Sequence, residues 1–329
     1  MKTLKTALVT AALTLSAASQ SEAQLTGTVI VLNKPAATAT FIDLGEGRIV
    51  ATAPTGAGPH ELVTSSNGSI AVGTDYGGAD SSLSVFDVAS ARRIRTIELG
   101  SYTRPHGIAF LPGDETVAVT SESTGHVVVV RVSDGEIVSA IATEASGSHM
   151  LAATADGRTI WTGDMASNTV TELSVPSGAK IRSFPAPATP EAINVAPDGS
   201  RVFAGSNDTG RVTTWTTVDG VPSTVAEGFG WPYRIFLTPD VEQIIVPDVR
   251  NDELRFIDGT SYAELGRIDF AGEGPQGLTL HPDGRHLFLS LASAGRVAIL
   301  DIAERTVVGY LPSGPGPDGI AYSPVRVAQ

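Results

Sequence analysis

One phrase, returning seven times, limits this chain to very few architectures. In Arg104-Pro-His-Gly-Ile-Ala-Phe-Leu-Pro-Gly-Asp114 a Pro-His pair opens an apolar run and a Pro-Gly turn closes it. The same phrase opens at Pro59-His60, Pro105-His106, Ser148-His149, Pro190-Glu191, Pro232-Tyr233, Pro275-Gln276 and Pro317-Asp318. Successive openings lie 42 to 46 residues apart. A fixed period of this size belongs to repeat proteins, in which each unit packs only against its neighbours.

From Pro59 onward each unit holds four β-type runs, A to D, separated by Gly, Pro, Asn and Asp signals. In the second unit they are predicted at 106–111, 116–121, 126–132 and 137–143, and in the sixth at 276–281, 286–291, 296–302 and 307–311. Helical periodicity is absent beyond the N-terminal segment. Four antiparallel strands per unit at this period predict an all-β propeller. Six full units run from Pro59 to about Gly314, and 318–323 supplies only a strand A. Residues 27–56 carry three orphan runs that read as B, C and D. One blade built from both chain ends brings the count to seven and buries edges that would otherwise pair with other chains.

The N-terminus carries Lys2 and Lys5, an uncharged apolar run from Ala7 to Ala18, and small residues around Ala23. This pattern predicts a secretory signal peptide over 1–23, with the propeller occupying 24–329 as one domain in the periplasm or outside the cell. The apolar run is too short to span a bilayer, and no later stretch is long enough. A net charge of −13 disfavours nucleic acid and anionic membranes as partners. With no Cys in the chain, disulfides, thiolate metal sites, cysteine nucleophiles and Cys-attached haem are excluded. No nucleotide-binding loop is present.

Phe41-Ile-Asp43, Phe256-Ile-Asp258 and Ile299-Leu-Asp301 resemble the strand C of the YVTN-repeat, YncE-like family of seven-bladed propellers. Gly274-Pro-Gln-Gly-Leu-Thr-Leu-His-Pro-Asp-Gly284 and the run from Gly314 to Pro324 resemble that family's repeated phrase. The resemblance covers essentially all of the chain after the leader. It implies the fold more than an activity, since members include metal enzymes, lyases, lactonases and proteins of unassigned role. Blades three to five depart from the phrase by replacing the Gly after the opening with Met150, Ala192 and Arg234.

Strand A is innermost in such propellers, so its opening residue sits at the mouth of the central channel. The mouth then reads His60, His106, His149, Glu191, Tyr233, Gln276 and Asp318. Three imidazoles and a carboxylate on neighbouring blades are ligands suited to Zn, Mn, Fe or Cu in a site without sulfur. The expected roles are His60, His106 and His149 as ligands and Glu191 as fourth ligand or general base. Tyr233 is the expected general acid, and Arg104 or Arg234 would hold a substrate carboxylate, with Trp231, Gln276 and Asp318 lining the same small polar or anionic ligand. Asp75, Glu122, Asp164, Asn207 and Asp248, at the ends of strand B, are candidates to orient the rings. The mouth is expected to be solvent-lined. Metal-dependent lyase or hydrolase chemistry fits this set, and copper or iron redox chemistry would use the same ligands. The alternative is a non-catalytic scaffold for a protein partner, in which each His merely packs at the start of strand A. A monomer is expected.

Overall fold

The computed structural model describes residues 25–78 and 81–328; the leader expected at 1–23 lies outside them. Seven four-stranded antiparallel sheets form a ring, each ordered A-B-C-D from the inside outward. The second blade comprises β8 (Pro105–Phe110), β9 (Thr116–Ser121), β10 (His126–Arg131) and β11 (Ile137–Ala142), and the sixth β24 (Pro275–Leu280), β25 (His286–Leu291), β26 (Arg296–Asp301) and β27 (Thr306–Pro312). Each predicted boundary in these blades falls within one residue of the observed one. Lys34–Ala36 forms a single 3-10 turn.

The ring closes as the orphan runs require. β28 (Pro317–Ser323) pairs antiparallel with β1 (Thr28–Asn33), which pairs with β2 (Thr38–Asp43), then β3 (Arg48–Pro54). This shared blade packs on both neighbours. Ile30 and Leu32 meet Leu62, Ala71 and Phe86 of the first blade, while Val29, Val31 and Ile42 meet Phe288 and Val297 of the sixth. Full burial of each such Phe or Leu contributes about 1.5–3 kcal/mol. The closing strands are therefore part of the core.

Every strand A carries one extra residue near its start. In the first blade, β4 (Pro59–Thr64) pairs Pro59 with Asp75 but Leu62 with Gly73 of β5 (Ile70–Asp75), so three steps oppose two. The same offset occurs in β8, in β12 (Ser148–Ala153), in β16 (Pro190–Val195), in β24 and in β28. In the fifth blade the regular strand shrinks to β20 (Phe236–Leu237), with Pro232 bridged separately to Asp248. Such a bulge re-aims side chains and sharpens the local twist. Here it falls on the opening residue and the one after it.

Neighbouring A strands also touch one another around the axis. A Cβ added at Gly107 would fall inside van der Waals contact with the Leu151 backbone nitrogen, and one at Gly319 would do so with the His60 carbonyl. Gly107→Ala and Gly319→Ala should each cost about 1–3 kcal/mol by overpacking, read as a lowered midpoint in urea unfolding. A variant with the parent midpoint would contradict this close approach.

Candidate functional site

The bulge explains why consecutive residues of strand A share one space. His60, His106 and His149 converge on the axis, their ring centroids 4.1 Å apart for the first pair and 3.5 Å for the second. Ligand atoms of His60, Glu61 and His106 all lie within 4.8 Å of one another. Glu61 follows the opening of the first blade and stands outside the register that singles out the three histidines. Its signal was available, because Glu61 replaces Gly at the same position as Met150, Ala192 and Arg234.

Each ring turns one nitrogen toward an acceptor. Nδ1 of His149 lies 2.8 Å from Glu122 Oε2, and Nδ1 of His106 lies 3.2 Å from the Met150 sulfur. Nδ1 of His60 lies 2.9 Å from Asp318 Oδ2, at ion-pair range but without hydrogen-bond alignment. His106 Nε2 is buried and has no partner. Burial, reinforced by His149, His60 and Arg234, pushes the His106 pKa well below the usual histidine range, so this ring is neutral. A neutral imidazole with a free, buried nitrogen beside a carboxylate is a ligand set for a cation.

Charged groups enclose the rings. Arg234 pairs with Glu61, stands 3.7 Å from Glu191 and donates to the Tyr233 carbonyl. Burial alone would lower its pKa, but Glu61, Tyr233, Glu191 and Asp318 outweigh it and hold the guanidinium charged. Glu191 accepts from Asn207 and from Trp231 Nε1 at 3.0 Å, and its other oxygen lies 3.8 Å from His149 Nε2. The Tyr233 hydroxyl donates to Asp318 at 2.9 Å; burial and then the Asp318 charge push its pKa well above the phenol range. Burial works against ionisation of Asp318, yet His60, Lys34 and Arg234 keep its carboxyl far below the normal range. Glu61, Glu122, Glu191 and Asp318 face three fixed cations, Lys34, Arg104 and Arg234. Four carboxylates thus meet three fixed cations around the rings.

The cluster is not open to solvent as the sequence suggested: His60 is 5%, His106 0%, His149 7% and Glu191 3% exposed. Tyr76 covers the rings edge-on, 5.4 Å from His60 and 5.0 Å from His106 between centroids. Its hydroxyl donates to Glu122, and Arg104 lies 4.3 Å over its face. Arg104 takes φ +56°, in a corner where Gly58, Gly147, Gly274 and Gly316 adopt the same conformation without a Cβ to accommodate. It sits at the exposed rim with Glu122 and Tyr76, while Arg234 is inside. Trp231 packs against Tyr233 and Glu191, and Gln276 is half-buried on β24.

A one-residue step separates the strand B residues that reach this site from those that do not. Asp75, Asp164 of β13 (Thr159–Asp164) and Asp248 of β21 (Gln243–Asp248) are the last strand residues, and their carboxylates are taken up by hydroxyls and loop amides. Asp75 accepts from the Gly56 amide, Ser82 and Ser84. Asp164 is ringed by Ser148, Thr162, Thr169 and Thr171, and Asp248 accepts from the Gly230 and Trp231 amides. They clamp loops. The residues one step further, Lys34, Tyr76, Glu122 and Asn207, all face the cluster, as strand alternation requires.

No family model matches the chain, and no curated protein matches it in sequence. Solved structures match its fold. A functionally unknown protein from Desulfotomaculum acetoxidans superposes with a TM-score of 0.73 at 16% identity, over 91% of this chain and 99% of that one. A putative 6-phosphogluconolactonase from Bacteroides fragilis gives 0.71 at 14%, over 90% and 98%. The periplasmic gluconolactonase of Pseudomonas aeruginosa gives 0.71 at 13%, over 90% and 99%. At these identities the likeness establishes the seven-bladed propeller alone. Among the described residues no helix is long and apolar enough to cross a membrane.

Removing one partner from a buried charge cluster strands the others. Arg234→Met leaves Glu61 and Glu191 without their buried cation and should cost about 3–5 kcal/mol in urea unfolding at pH 7. A loss below about 1 kcal/mol would mean that the cluster behaves as a solvated surface network.

Proposed function

We propose that the protein is a metal-dependent enzyme of hydrolase or lyase type, exported and acting on a small polar or anionic substrate at the head of the central channel. The observation that carries this reading is the convergence of His60, Glu61 and His106, with a buried, unpartnered His106 nitrogen beside the Glu61 carboxylate. These three residues would hold the ion, which would supply a Lewis acid for a carbonyl and a lowered pKa for bound water. The gluconolactonase names among the fold neighbours favour hydrolysis over elimination.

The surrounding residues divide the remaining work. His149, oriented by Glu122 through Nδ1, is placed to carry a proton on Nε2, with Glu191 beside that nitrogen. Glu191 is held by Asn207 and Trp231, so it acts as a fixed charge or as a further ligand beside Arg234. Tyr233, expected as the general acid, has its proton engaged by Asp318 and keeps that carboxylate aimed at His60. Arg104 and Lys34, exposed at the rim beside Tyr76, attract an anionic group, and Arg234 is the inner cation.

A second reading, copper redox chemistry, is favoured by the Met150 sulfur beside His106, because thioethers select copper(I) over harder ions.

Protein exported without chelator should contain about one transition-metal ion per chain by elemental analysis. His106→Ala should lose at least nine-tenths of that metal while keeping the far-ultraviolet spectrum of the parent. Metal-free parent protein would leave the scaffold reading in place, and a fully loaded His106→Ala variant would overturn this metal site.

A further inference from the structure

Beneath the polar layer the channel changes character. The second residue after each opening is Leu62, Ile108, Leu151, Ile193, Ile235, Leu278 or Ile320, one branched aliphatic from every blade, and all seven line one cavity of about 320 Å³. Its head is formed by Glu61, Met150 and Arg234, the residues that the bulge places just after the openings. Further along lie Val63, Ala152, Ala153 and Phe236. Asn194 is the polar side chain along this wall, and its amide is already committed, donating to the Ile235 carbonyl and accepting from the Val195 nitrogen.

We propose that this channel is a binding site for a small amphiphile, an alkyl or aryl body carrying one carbonyl or carboxylate head. The girdle accounts for the body. An apolar group seated against seven branched aliphatics takes their exposed surface out of water. The volume lies within the range of small-molecule pockets, and aliphatic side chains from every blade stand beside polar groups gathered at one end. The head accounts for the orientation. The Arg234–Glu61 pair lies at one end only, so a bound ligand sits with its polar group toward the imidazoles and its tail along the girdle. The inference rests on the proposed active site only for the destination of that head. It narrows the substrate class there from any small anion to a carbonyl compound with an apolar tail.

Calorimetric titration of the full, metal-loaded chain with decanoate and with butyrate tests this. Decanoate should bind one per chain and at least tenfold more tightly than butyrate. Ala152→Trp and Ala153→Phe fill the channel without touching the polar layer. Each should weaken decanoate at least tenfold while metal content and melting temperature stay at the parent values; if one fails to fold, the other decides. Equal affinity for the two acids, binding of neither, or decanoate binding untouched by the folded variant would overturn the proposal. Metal content measured on the same samples separates the two ideas. Chain-length preference in protein that takes up no metal would sink the metal reading and keep the channel site, and metal without chain-length preference would do the reverse.

Discussion

Seven innermost strands share one narrow axis, and the rest of the molecule follows from how they fit. Each starts with a one-residue bulge, and where Gly107 and Gly319 follow the opening residue the next backbone comes into direct contact. Where the following residue is Glu61, Met150 or Arg234 its side chain occupies the axial space instead. The bulge thus turns a repeat of nearly identical blades into an asymmetric layer of chemically distinct groups. Its aliphatic successors, one per blade, restore the symmetry immediately below.

Placing that many charges at the axis is tolerable only because they compensate one another. Arg234 is almost wholly buried between Glu61 and Glu191, and Asp318 is held by His60, Lys34 and Tyr233. A buried ion pair gains little stability over apolar packing, whereas an unmatched buried charge is strongly destabilising. A network this size, with the His106 nitrogen left without a partner, spends stability on a defined electrostatic environment. Such concentrations of perturbed groups mark functional sites more often than structural ones. The mouth is thereby set apart from the rest of the ring, where the buried Asp75, Asp164 and Asp248 are satisfied by hydroxyls and amides and serve as clamps.

The fold was legible because a repeat states the same answer seven times. Period, turn residues and the orphan strands at both ends left one closure scheme, and β28 pairing with β1 realises it. The site was legible at one register only. His60, His106, His149 and Glu191 stand where the openings put them, but the openings alone do not reveal which residues join them. Glu61 enters through a bulge, which hydrophobic alternation does not announce. Lys34, Tyr76, Glu122 and Asn207 enter by standing one residue past the end of strand B, and a one-residue error there exchanges a loop clamp for a site residue. The depth of the cluster was also hidden in the sequence. Tyr76 closes over the rings from a loop position that carries no motif.

The central claim is that the axial layer exists to hold a cation. Anomalous diffraction from crystals of the exported protein, collected on either side of the absorption edge of the metal found in them, tests it most directly. The account predicts one anomalous peak on the channel axis, within about 2.0–2.4 Å of a His60 nitrogen, a His106 nitrogen and a Glu61 oxygen. No peak there in protein never exposed to chelator, with His106 Nε2 hydrogen-bonded to an ordered water or a side chain instead, would contradict it.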